Sequence, residues 1–172
     1  MATRTIFLII YPGQPNQRAH FGVWVPYKED GVEGTVIHVV GAPMAGFSLE
    51  FKRRYRPTET HRLTQLVAIG SVDVQYLHDF EGDMGSDTTP RGGIELVAAQ
   101  VQPPRASVNF LEPVNDTTNR RCQEWTMDYV RQLVARRYLD EAAVAIVQSK
   151  RDAPNVGIAL RPAAARGQQQ AQ

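Results

Sequence analysis

Between residues 5 and 69 the chain carries five apolar, β-rich runs, "TIFLIIY", "HFGVWVP", "TVIHVV", "SLEFKRRYR" and "LTQLVAI", joined by connections too short to hold a crossover helix. Parallel neighbours need a connection of a dozen or more residues, usually helical, so this spacing restricts the chain to a largely antiparallel sheet. Turn signals close the runs: "PGQPNQ" follows residues 5–11, "KEDGVEG" follows residues 20–26, and "GAP" follows residues 35–40. Alternation then assigns faces. His20, Gly22 and Trp24 share one face of the second strand and Phe21, Val23 and Val25 the other, while Val36, His38 and Val40 share a face of the third. In the fourth, Leu49, Phe51, Arg53 and Tyr55 alternate with Glu50, Lys52, Arg54 and Arg56, the pattern of a half-buried strand with a charged outer face. Further strands are expected at residues 63–69 and 74–77.

The second half changes period. Thr88 or Thr89 as cap and Pro90 at the first helical position predict a helix over residues 90–99, weakened by Gly92 and Gly93. Residues 103–119 read as a long loop. Asn119 is a good N-cap, and Cys122, Trp125, Thr126, Tyr129, Val130, Leu133 and Val134 recur at helical spacing, which places Cys122 in the first turn of a core-facing helix. A shorter helix is expected near residues 139–148. The fold class is therefore α+β, an antiparallel sheet packed against a Cys-bearing helix. One domain over residues 1–152 is expected, followed by a disordered C-terminal tail, residues 153–172, where "RPAAARGQQQAQ" has no periodic apolar residues.

Composition excludes several functions. A chain of 172 residues supports one sizeable core, and 42% hydrophobic with 22% charged residues excludes wholesale disorder. A net charge of +1 announces no polyanion partner, and strand alternation accounts for the bases of "FKRRYR", so no nucleic acid is expected. One cysteine cannot form an intramolecular disulfide, which favours a reducing, cytoplasmic compartment. The start "TIFLIIYP" is too short for a membrane span and lacks a small-residue cleavage site, so it reads as a strand. No later run reaches transmembrane length. An integral membrane protein is excluded on that reading, and any membrane contact is peripheral. His61 and His78 have no metal-ligand spacing with each other or with Cys122, and Asp79, Glu81, Asp83 and Asp87 do not follow a calcium-loop pattern. Gly92 and Gly93 lack the lysine of a phosphate loop. Neither metal nor cofactor is expected.

Three residues have catalytic potential. A cysteine at a helix N-terminus feels the positive end of the macrodipole and unpaired N–H groups, and Arg120 and Arg121 would act in the same direction. Singly, Cys122 is an ordinary buried hydrophobe and His20 and His38 are ordinary strand histidines. Together they supply a nucleophile, a base and a group to orient the base.

The order of His20 in "HFGVWVP", His38 in "TVIHVVG" and Cys122 in "RRCQEWTMDYV" resembles the circularly permuted papain-like thiol superfamily (NlpC-type), and within it the lecithin:retinol acyltransferase-like branch. The likeness spans residues 5–135. The stretch "IHVVGAPMAGFSLEFKRRY" is also similar to small uncharacterised fungal proteins with the same His, His, Cys order. The resemblance implies a permuted papain-like fold with Cys122 as nucleophile, His20 as general base and His38 as the orienting group. It implies a thiol-dependent hydrolase or acyltransferase acting on an ester, thioester or amide carbonyl in a small acyl-containing or peptide substrate. The backbone N–H of Cys122 is the expected oxyanion donor, with a partner from the His20 loop or the Gln123 side chain. A cysteine peptidase or isopeptidase of the same fold is the alternative chemistry. Arg121, where the branch has Asn, and Phe21-Gly22, where it has Trp-Ala, motivate a third reading, a non-catalytic binding module.

Overall fold

The computed structural model describes residues 1–28, 31–60 and 63–157. The apolar runs form β1 (Thr3–Tyr11), β2 (His20–Pro26), β3 (Gly34–Ala42), β4 (Gly46–Tyr55) and β5 (Gln65–Asp73), and a short β6 (Gly85–Asp87) lies within the acidic loop. All pair antiparallel in one six-stranded sheet of order β5-β1-β2-β3-β4-β6. Among the described residues the helices are α1 (Gly93–Gln100), α2 (Cys122–Ala135) and α3 (Ala142–Lys150). The fold is α+β, with the cysteine on α2.

Strand alternation divides the core in two. Phe21, Val23 and Val25 of β2, Ile37 and Val39 of β3 and Phe51 of β4 face the helices and pack with Cys122, Trp125, Tyr129 and Leu133. Burying each large apolar side chain contributes roughly 1.5–3 kcal/mol, so this layer dominates stability. On the other face Ile9, Tyr11, Trp24, Val36 and Tyr55 form a second cluster. The chain covers part of that face itself. It leaves β4 and re-enters at β5, beyond β3, β2 and β1 in the sheet, and on the way buries Pro57, which lines one cavity with Trp24 and Phe7.

Tyr55 departs from the expected alternation. Gly34 pairs with Tyr55 but Val36 pairs with Lys52, so Arg53 and Arg54 together oppose the single residue Thr35. This β-bulge, with Arg54 at φ 53°, turns Tyr55 onto the Lys52 face, away from Phe51 and Arg53. Residues 74–77 are not a strand. Val74–Tyr76 is a 3₁₀ turn, because Asp73 accepts the Gln75 N–H and closes the chain locally. The helix expected over residues 90–99 begins later, at Gly93, since Gly92 sits at φ 79° and the Glu95 carboxylate takes the Arg91 N–H. The third helix starts at Ala142 instead of residue 139. Of the expected tail, residues 153–157 form a turn whose Pro154 carbonyl accepts from the Val114 N–H. Residues 158–172 lie outside the described residues.

Arg53 is 1% exposed, a charge on the core side of β4. It ion-pairs with Asp87 of β6 at 3.0 Å and with Glu95 of α1, and donates to the Thr89 carbonyl, which fastens α1 to the sheet edge. Burial raises the Glu95 carboxyl to about 7 against the opposing pull of Arg53. A carboxyl whose folded pKa lies above its unfolded value holds a proton on folding, so this group's stabilisation is full at low pH and is lost as pH rises through about 7. The urea midpoint is therefore expected to fall between pH 5 and pH 8 and to fall less in Glu95→Gln. Identical pH profiles for the two proteins would contradict this.

Candidate active site at the start of the second strand

Helix α2 begins with Cys122 itself. Its N-cap is Arg121, not Asn119. Glu124, the third helical residue, reaches back to accept the Arg121 N–H at 3.1 Å, satisfying a donor that the helix leaves open. Asn119 is buried and serves the loop: its side chain accepts from Ser107 Oγ at 2.7 Å and donates to the Glu112 and Pro113 carbonyls. A good capping residue is thus diverted by tertiary partners.

The sulfur occupies a gap in the sheet. Register between β2 and β3 ends at Val23 opposite Ile37, three residues after β2 has begun. The Tyr27 N–H donates to Glu33 across the β2–β3 turn, so odd-numbered residues of β2 turn their peptide groups toward β3. Phe21 N–H and Ala19 C=O therefore point at space that β3 has left, and the start of α2 fills it. Cys122 Sγ lies 3.9 Å from the Ala19 carbonyl, and the Phe21 N–H is close enough to favour its thiolate. These two peptide groups flank His20. The thiol is packed beside the His20 backbone, within the helix-side core.

His20 and His38 stand together, with His20 Nε2 2.8 Å from His38 Nδ1 and the rings 5.0 Å apart. They lie on the face of Trp24 and Val36, opposite the helices, as alternation requires; Tyr11 is 5.6 Å from the His20 ring. His20 is the first residue of β2 and so lies at the rim of that face. The structure brings the two imidazoles into contact, and it brings the thiol to the His20 main chain from the other side. His38 Nε2 is 3.7 Å from Glu50 Oε2 across the β3–β4 register. Burial pulls the His38 pKa down to about 4, and the positive charge of Lys52 adds to the fall, so this imidazole is neutral at pH 7.

Burial also pushes the Cys122 thiol up to about 11. Glu124 reinforces that rise, while the Phe21 and Gln123 N–H groups and the Arg18 charge oppose it. The sulfur is a thiol at neutral pH, contrary to what a helix-start cysteine leads one to expect. The expected helpers are occupied: Arg120 is bound to Asp128, and Arg121 to the Phe110 carbonyl.

Gln123 is excluded as an oxyanion donor. Its Nε2 donates to the Ala19 carbonyl at 3.0 Å and to Asp152 at 2.8 Å, and its Oε1 accepts from Arg18 and the Asp152 N–H. With both amide hydrogens committed, it clamps the Ala19–His20 peptide to α2. Beside it the fully buried Glu124 carboxylate is held by Arg18 at 3.0 Å and Arg151 at 2.9 Å. The Cys122 N–H, in the first turn, keeps the helix's open donor character.

Sequence reasoning missed Glu50, Arg18, Glu124, Arg151 and Asp152. Only Glu124 left a signal, a Glu three residues after a helix cap once that cap is placed at Arg121. A cavity of about 550 Å³ lined by Phe7, Trp24, Leu66 and Pro57 opens on the histidine face, but toward the far end of β2 from the sulfur. Among the described residues no three His, Cys, Asp or Glu side chains gather as metal ligands; His61 lies outside them. No helix of the described residues is long and apolar enough to cross a membrane.

No curated protein and no solved structure matches this chain. A family model described as a family of unknown function, DUF6540, matches residues 6–140, which include His20, His38 and Cys122 and all of the sheet except the first three residues of β1. The chain that places a thiol and a histidine pair around the first residue of β2 belongs to the DUF6540 family.

Proposed function

We propose that this protein is a thiol-dependent hydrolase or acyltransferase of the permuted papain-like type, working in a reducing compartment, with Cys122 as nucleophile and His20 as base. One observation carries the reading: Cys122 Sγ lies against both peptide groups that flank His20, while the ring of His20 is bonded to His38. Because the resting sulfur is protonated, a base must act during attack. His20 is the group assigned to take the thiol proton, and its ring, which lies on the opposite face of the sheet and is bonded to His38, must turn to the sulfur for that step. Sulfur attacks an ester, thioester or amide carbonyl as its proton passes to the His20 imidazole. The tetrahedral oxyanion receives the Cys122 N–H, and collapse expels the leaving group with the proton from His20. Water or an acceptor then resolves the acyl-enzyme.

Incubation with activated acyl esters and thioesters, followed by intact mass and peptide mapping, tests this. A single acyl adduct on Cys122, absent from Cys122→Ser, is the expected result. Burial of the thiol, 9% exposed, favours a second reading as a non-catalytic binding module. That reading gives no adduct on Cys122 with any donor, and such a result would reject the catalytic one.

A further inference from the structure

The sheet face opposite the helices carries a cavity that the thiol chemistry does not use. Its volume of about 550 Å³ is that of a small-molecule site, and its walls change character along β1 and β2. Phe7 of β1 stands opposite Trp24 of β2, with the rings 5.6 Å apart and tilted by 47°. Leu66 of β5 and the buried Pro57 add to this apolar part. Beyond the Phe7–Trp24 rung, β1 runs back to Thr5 and Arg4 and β2 runs on to Pro26 and the turn residue Lys28, where Arg4 donates to the Pro26 carbonyl at 3.1 Å. The cavity is therefore apolar and aromatic at one end and cationic at the other.

Charge at the cationic end is one-sided. Among the described residues no carboxylate lines the cavity. Asp79, which pairs with Arg4 at 2.6 Å and accepts the Lys28 N–H at 3.2 Å, lines a separate one. The exposed Lys28 ammonium forms no ion pair among the described residues and is the cation left for a ligand. Trp24 supplies an independent sign. Its indole N–H is buried and has no acceptor among the described residues, whereas the Trp125 N–H donates to the Val101 carbonyl at 3.0 Å. The Trp24 nitrogen lies by Gly34, where an added Cβ would stand 2.8 Å from it, and Gly34 pairs with Pro26 toward the cationic end. Buried indole N–H groups normally have a partner, and what this end of the cavity lacks is an acceptor.

We propose that this cavity binds an aromatic carboxylate, its ring against Phe7 and Trp24 and its carboxylate at Lys28. A flat ring among tilted aromatic walls gains more than its buried area alone provides. A carboxylate only accepts, which matches an ammonium with three donors, while a cationic ligand would meet Lys28 and Arg4 as like charges. The site stands on the other side of the sheet from Cys122 and does not depend on the thiol reading.

The test follows the two indole N–H signals of ¹⁵N-labelled protein during titration with naphthoate, naphthamide and naphthylmethylamine, which share a ring system and differ in charge. Naphthoate should move the Trp24 signal saturably and leave Trp125, in the helix-side core, in place. A charge-assisted hydrogen bond is worth about tenfold in affinity, so naphthamide on the parent, and naphthoate on Lys28→Gln, should each bind about tenfold more weakly. Leu66→Tyr, at a position 37% exposed, narrows the apolar end and should weaken naphthoate binding, with an unmoved Trp125 signal showing that the core is intact. A Trp24 signal that naphthoate does not move overturns the site. So does amide or amine binding as tight as that of the carboxylate, and so does an equal shift of both indoles. Decanoate binding more tightly than naphthoate overturns the aromatic assignment. The three-ligand comparison on the parent needs no variant to fold.

Discussion

Glu124→Ala is expected to lower the free energy of unfolding by about 3–5 kcal/mol, because it strips a buried carboxylate from two guanidinium groups that stay behind. Arg18 and Arg151 meet on this side chain at 3.0 and 2.9 Å, and Glu124 is itself fully buried. The same substitution opens the Arg121 N–H at the start of α2, so charge and cap are lost together. A domain of this kind has about 5–15 kcal/mol in total, and the variant would be marginal at 25 °C. Glu124→Gln keeps an acceptor for the cap but not the charge, and should fall between parent and alanine. Urea denaturation of the three proteins reads the order directly. A cost below about 1 kcal/mol for the alanine variant would mean that the pair behaves as a solvated surface bridge, against its burial. Since Arg18 and Gln123 also fix the Ala19–His20 peptide, the substitution should slow Cys122 acylation as well.

His20→Ala should slow acyl-adduct formation at Cys122 by about 10²–10⁴, the usual contribution of a positioned general base. The thiol's own titration should barely move, because burial sets it and His20 is not among the groups that shift it. This separation is diagnostic. A cysteine activated as a resting thiolate would lose both its low pKa and its reactivity with the histidine, whereas one served by a base only during attack loses reactivity alone. His20 is the first residue of β2 and only partly buried, so its truncation should leave the fold intact. Equal acylation rates in parent and His20→Ala would remove His20 from the mechanism, and Cys122 would revert to a buried hydrophobe under α2.

Much of the sheet was legible because β-branched alternation fixes strand and face without knowledge of the partner strand. His20, Gly22 and Trp24 fall on one side of β2 and Phe21, Val23 and Val25 on the other, as the period of two requires. Tyr55 escaped that rule through a bulge, which depends on how many residues of β4 oppose Thr35 and so on the pairing of two strands. The site was legible by composition and order: two strand histidines and a helix-start cysteine were named, and the histidines do meet. What the alternation pattern already implied, but only the assembled sheet makes plain, is that both imidazoles turn away from the face on which α2 packs. The cysteine reaches His20 at its backbone, through the gap where β3 leaves β2.

By itself, the sequence determined the first five strands and their antiparallel pairing, the amphipathic stripe of α2 with Cys122 in its first turn, and the shared face of each histidine with its alternating neighbours. These are local properties, set by backbone period and by connection length. Tertiary structure decided the protonation of the groups. A first-turn cysteine flanked by two arginines reads as a thiolate, yet burial raises it to about 11, and both arginines are bound elsewhere. Glu50 came to face His38 only when β4 paired with β3, and Glu124 met its partners only when Arg18 and Arg151, 106 and 27 residues away, converged on it. Desolvation and charge pairing depend on which surfaces meet, and those meetings are fixed by packing over long sequence separations.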